Sequence, residues 1–193
     1  FGDNSYSALN WYNAPDPRPD YYRYLPSYFT RMATPGSQDP EAAARYAELW
    51  HSDPNTRYID WDRMYAINRG NMTTVRNAAG EALATGRRAL YMVEDRHTDQ
   101  REFAWASTVA WQPLKQLELN GSLSYRHNRT ENFAVVGDLL GADFVYDVDK
   151  FAERDFGGDA SKSQVDLNHP DRIVQRGDRF GHDYEAQTSR FVA

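Results

Sequence analysis

Two runs of strict alternation, joined by a short connection, constrain this chain most. In Phe103, Trp105, Ser107, Val109 and Trp111 every second residue is mostly large and apolar. Between them stand Glu102, Ala104, Ala106, Thr108 and Ala110, which are small or polar. After Gln112 to Gln116 the pattern resumes, with Leu117, Leu119, Gly121, Leu123 and Tyr125 on one face and Glu118, Asn120, Ser122, Ser124 and Arg126 on the other. Period-two runs about a short Pro-containing turn predict an antiparallel hairpin over about 86–126. Each run is about nine residues long, near the ~9–11 of a tilted strand crossing a bilayer. Trp105, Trp111 and Tyr125 are the residue types of an interfacial aromatic girdle. A soluble antiparallel sheet alternates in the same way, so the pattern fixes an all-β hairpin and leaves its surroundings open.

Composition narrows the classes. Leu, Ile, Val and Phe make up only 34 of 193 residues, which by itself suggests disorder. The 27 aromatic residues and a net charge of only -6 oppose that reading. No run of apolar residues approaches the ~20 needed for a membrane helix. The chain has no Cys, so neither a disulfide framework nor a thiolate metal site is available. An acidic balance, with a pI near 5.3, argues against nucleic acid as a partner.

Outside the hairpin the chain reads as long connections. Pro15, Pro17 and Pro19 make residues 1 to 30 an extended aromatic loop, with a strand end over Ser5 to Tyr12 and no helix. Asp39 as cap, Pro40 at the first helical position and Glu41 beside the positive end predict a helix over 39–52. A second short helix from Asp60 is expected to bury Trp61, Met64, Tyr65 and Ile67. Residues 70–84 are small and polar and read as loop. Residues 127–179 form a long acidic connection, with short strands or turns at Val135 to Leu140 and Phe144 to Val148. A last strand is expected over 180–193.

No catalytic pattern stands out. The five His lack zinc spacing, and there is neither a nucleophile elbow nor a phosphate loop, so no enzyme activity is expected. Asp147, Asp149, Glu153, Asp155 and Asp159 crowd one loop. They fail the helix-loop-helix calcium template and read as a solvated acidic loop, with a calcium-ordered loop as the alternative. Trp11, Tyr12, Tyr21, Tyr22, Tyr24 and Tyr28 are the candidate ligand or partner contacts, because ring faces with polar tips bind at low entropic cost. The competing reading is that these rings hold the loop against its neighbours, including the helix bearing Tyr46 and Trp50.

Four stretches carry a family resemblance. NWYNAPDPRPDYYRYLPSYF at Asn10 to Phe29 resembles a loop motif of TonB-dependent outer-membrane receptors from Bacteroides-like bacteria. IDWDRMYAINR at Ile59 to Arg69, LYMVEDRHTDQREF at Leu90 to Phe103, and Leu123 to Asp159 resemble the same proteins in the same order. The resemblance implies part of a transmembrane antiparallel β-barrel in the bacterial outer membrane. Outer loops would occupy about 12–84 and 127–179, and the inner turn Gln112 to Gln116. It implies uptake of a nutrient ligand, with the rest of the barrel, a plug, a TonB-type energising complex and a surface lipoprotein as partners. The chain is accordingly expected to be a segment of one barrel domain in a longer polypeptide. Two other functions fit the residues: a secreted β-domain binding a glycan through the aromatic loop, and a non-transporting barrel within an outer-membrane assembly.

Overall fold

The computed structural model describes residues 2–32 and 38–193; residues 33–37 of the first expected outer loop lie outside the described residues. The protein is all-β, with antiparallel sheets and few, short helices. The main sheet has four strands: β1 (Gly2–Trp11), β4 (Tyr91–Leu114), β5 (Leu117–Asp138) and β8 (Arg179–Val192), in the order β1-β4-β5-β8. Two small two-stranded sheets accompany it, β2 (Met72–Arg76) with β3 (Ala82–Arg87), and β6 (Val145–Tyr146) with β7 (Ile173–Val174). None of these sheets closes on itself.

The hairpin expected from the alternation is present, but its bounds differ. β4 starts at Tyr91 and not at residue 86, and the turn is only Lys115 and Gln116. Pro113 lies inside β4, where the register is irregular between Trp111 and Leu114, because proline brings no donor to the ladder. β5 runs on to Asp138, so 127–138 is strand and not outer loop. Its sequence hid this. From His127 to Asn132 both faces are polar, and the extension is held by pairing with β4 on one side and β8 on the other. The expected short strand at Val135 to Leu140 is in part the end of β5, while Phe144 to Val148 contains β6.

Residues 70–84, read as loop, contain β2 and the start of β3. Their turn is built by Asn77, whose Oδ1 accepts the N–H groups of Ala79 and Glu81 at 3.0 and 2.9 Å. Gly80 there takes φ +84°, which other residues rarely adopt. The prolines keep residues 15–19 free of helix, but helical turns follow at Tyr22–Tyr24 and Tyr28–Met32, past the last of the three closely spaced prolines.

Both expected helices form. In α1 (Pro40–Ser52) Asp39 accepts the Ala42 N–H at 2.8 Å. In α2 (Trp61–Gly70) Asp60 accepts the Arg63 N–H at 2.9 Å. Met64 is buried as expected, but Trp61 is 45% exposed, because it lines an open groove beside Leu9 and Val93 at the edge of the core. A third helix, α3 (Lys150–Asp155), is capped by Asp149.

The core sits at one end of the sheet. There α2 packs on the face carrying Leu9, Trp11, Tyr91 and Val93. β6 and β7 pack on the opposite face, against Met92, Ala134, Val136 and Phe180. Beyond this sandwich the long strands continue with neither face covered, and Val109 and Trp111 are 63% and 61% exposed.

Candidate functional site

A cavity of about 580 Å³ lies between the sheet and the β6-α3 layer. Its floor is the even-numbered face of β4, with Met92, Glu94 and Arg96, joined by Asn10 from β1 and Phe180 and His182 from β8. Its opposite wall is Val145 to Phe151 together with Glu153. Glu94 is buried but fully engaged. Its Oε2 accepts Asn10 Nδ2 at 2.6 Å, and its Oε1 accepts Arg96 Nε at 2.6 Å. A buried carboxylate held in this way is a rigid part of the floor.

Arg88 closes one side of the cavity. Its two terminal nitrogens donate to the two Glu153 oxygens at 2.9 and 2.8 Å, and both side chains are only 14% exposed. The guanidinium also lies over the rings of Tyr12 and Tyr146, 5.1 and 5.5 Å from their centroids. This bidentate, ring-sandwiched geometry is open to arginine and not to lysine. The Tyr12 phenol faces the Glu153 carboxylate. Burial and the Glu153 hydrogen bond push the Tyr12 phenol up to about 12. Burial pushes Glu153 upward, but hydrogen bonds from Arg88 and Tyr12 outweigh it and leave its carboxyl below the ordinary range.

Asp147 is a second buried acid on the cavity wall. Its Oδ1 accepts the Gly181 N–H at 2.8 Å. Its Oδ2 lies 3.0 Å from Arg172 Nη1 but out of alignment, and makes no hydrogen bond. Burial holds its carboxyl above the usual carboxylate range, against the pull of the Gly181 amide and Arg172.

The acidic residues singled out from sequence do not converge. Glu153 turns to Arg88, Asp147 to Gly181 and Arg172, and Asp155 to Arg154, while Asp149 and Asp159 cap helical turns. Among the described residues no group of three or more His, Cys, Asp or Glu side chains is arranged to hold a metal.

The aromatic candidates separate into three groups. Trp11 packs with the α2 side of the sheet, and Arg18 lies over its ring at 5.2 Å. Tyr12 joins the cavity. Tyr24, Tyr21, Tyr22, Tyr28 and Phe29 form a ladder of successive rings with centroids 4.8 to 5.8 Å apart, and Phe29 stacks on Tyr46 of α1 at 5.0 Å. Tyr24 also donates to the Asp16 carbonyl at 2.9 Å. This ladder holds the loop together, although Tyr22 stays 44% exposed.

Of the other candidates, Trp105 and Tyr125 are directly paired across β4 and β5. Trp111 lies nearer the turn on the same face, paired with Leu119. Sequence reasoning missed Arg88 and Tyr146. Arg88 sits in no motif, and its meeting with Glu153 and Tyr12 depends on contacts 65 and 76 residues apart in the chain.

Among family models, curated proteins and solved structures, nothing matches the chain. No helix among the described residues is long and apolar enough to cross a membrane, a fact that does not bear on strands.

Proposed function

We infer that the chain supplies wall and outer-loop structure to a β-barrel receptor of the bacterial outer membrane, one that takes up a nutrient ligand in a TonB-dependent way. One observation carries this reading: the division of the long hairpin into two unlike, uncovered faces. Phe103, Trp105, Val109, Trp111, Leu119, Leu123 and Tyr125 share one face, continued on β8 by Phe191. Ala104, Ala106, Thr108, Ala110, Asn120, Ser122 and Ser124 share the other. Soluble proteins rarely leave so large an apolar surface open. At about 3.3 Å per residue and about 40° of tilt, Phe103 to Leu114 rises about 28 Å, close to the ~25 Å apolar band of an outer-membrane barrel.

The connections support the same orientation. The turn at Lys115 and Gln116 is tight, while every other link between the long strands is at the opposite end. Short turns inside and long loops outside suit such a barrel. The small, polar face then meets the lumen, and the cavity floored by Glu94 and Arg96 opens on that same side, above the apolar band. A solute reaching the lumen from outside would meet it first. The free edges of β1 and β8 would be costly in lipid, so the reading includes further strands, with a plug, an energising complex and a surface lipoprotein as partners. The work is binding and gated passage, without bond chemistry.

Lipid-attached quenchers test this. With the chain in vesicles, bromine at the acyl mid-depth should quench Trp105 and Trp111, and leave Trp50 and Trp61 bright. Equal protection of all four would overturn the reading.

A further inference from the structure

We propose that Arg126 and Arg190 form a binding site for a small oxyanion, a phosphate or a carboxylate, on the polar face of the sheet. The two residues are direct cross-strand partners on β5 and β8, and so project from the same face. Like charges directly opposite each other destabilise a sheet. Little in the structure offsets that repulsion. Among the described residues Glu102 is the one carboxylate that reaches the pair, with Oε1 3.6 Å from Arg126 Nε, and its own side chain is 43% exposed. Among the described residues no carboxylate lies within salt-bridge distance of Arg190.

The surroundings leave room for a ligand. Ala104 faces Arg126 across the hairpin, and Ala106 and Ser124 occupy the next row. These short side chains leave a recess of about 340 Å³ bounded by Arg126, Arg190 and Val192. Two guanidinium forks beside a hydroxyl, at the edge of an open recess, suit a group that takes several N–H bonds at once. A tetrahedral phosphate or a planar carboxylate does so, and chloride does not. Bound there, the anion turns a repulsive pair into a bridged one. The site belongs to the polar face whether or not the other face meets lipid, so its failure would leave the quenching result untouched.

The test uses the full chain in detergent micelles, with inorganic phosphate titrated against chloride at constant ionic strength. Arginine side-chain Nε–Hε resonances and the thermal midpoint are followed together. The two cross-peaks, assigned with R126Q and R190Q, should move saturably with phosphate, and the midpoint should rise by about 2 °C. R190K keeps the charge but loses the fork, so its phosphate response should be at least about tenfold weaker. In phosphate-free buffer of low salt, R190Q should be no less stable than the parent, since the repulsion is gone. An effect of phosphate equal to that of chloride, or an R190Q response equal to the parent's, would refute the site.

Discussion

Asn68 and Tyr91 exchange two hydrogen bonds: Asn68 Nδ2 donates to the Tyr91 carbonyl at 2.8 Å, and its Oδ1 accepts the Tyr91 N–H at 3.0 Å. The same side chain accepts from Leu90 N–H, and its two amide hydrogens are shared among the carbonyls of Tyr91, Leu139 and Leu140. With 0% exposure it fastens α2 to the start of β4 and to the chain leaving β5. Asn68→Ala leaves those backbone groups buried without a partner and should cost about 3 kcal/mol or more. Asn68→Asp should be no better, because a carboxylate cannot donate to the carbonyls. The denaturant midpoint measures both, and amide exchange at Leu90 and Tyr91 should accelerate in each.

The clamp on α3 should respond to pH at both ends of the scale. Glu153 is held below its ordinary value, so its contribution is present above the unfolded pKa, about 4.3. That contribution is lost as acid carries the pH through the folded value. Tyr12 is raised to about 12, so its contribution is complete below pH 10 and disappears as the pH rises through about 12. Ultraviolet absorbance should show one phenol ionising near pH 12, and Tyr12→Phe should remove that step. Glu153→Gln should loosen α3, seen as faster cleavage there by protease, with the sheet unaffected.

Arg87 and Asp143 make an exposed but well-aligned pair, with Nη2 to Oδ1 at 2.5 Å and the Arg87 N–H to Oδ2 at 2.8 Å. The Arg87 side chain and amide together lower the Asp143 carboxyl to about 2. Carboxyl carbon shifts should show Asp143 still charged at pH 3. In Arg87→Gln its titration should return toward the usual aspartate range. Solvent surrounds both groups, so the change in global stability should be small.

The two faces of the hairpin should tolerate charge unequally. Val109→Arg puts a guanidinium on the apolar face near the middle of the band and should cost about 2–4 kcal/mol of folding into vesicles. Thr108→Arg, one residue away on the small, polar face, should fold almost as well as the parent. Equal tolerance at the two positions would count against lipid on the odd-numbered face. The assay is the fraction of chain that becomes protease-resistant with lipid present.

How much the sequence revealed depended on the range of the forces involved. Local signals were readable: Asp39 and Asp60 cap where capping chemistry says they should, and the Phe103 to Trp111 alternation marks the hairpin. The extension of β5 through His127 to Asp138 was not readable, because pairing on both sides imposes it on residues without a hydrophobic period. The tyrosine ladder agrees with rings packing the loop, and Tyr12 leaves that ladder for the cavity. Arg88 gave no signal at all, since its role comes from Tyr12, Tyr146 and Glu153 converging from distant parts of the chain.

Between Glu94 and Trp111 the pairing of β4 with β5 has no bulge or slip. The floor of the cavity and the apolar stretch are therefore one girder, without a hinge. A push on Glu94 or Arg96 is not absorbed by local bending. A displacement there is carried along the paired rungs as far as Trp111, where the register breaks just before the turn.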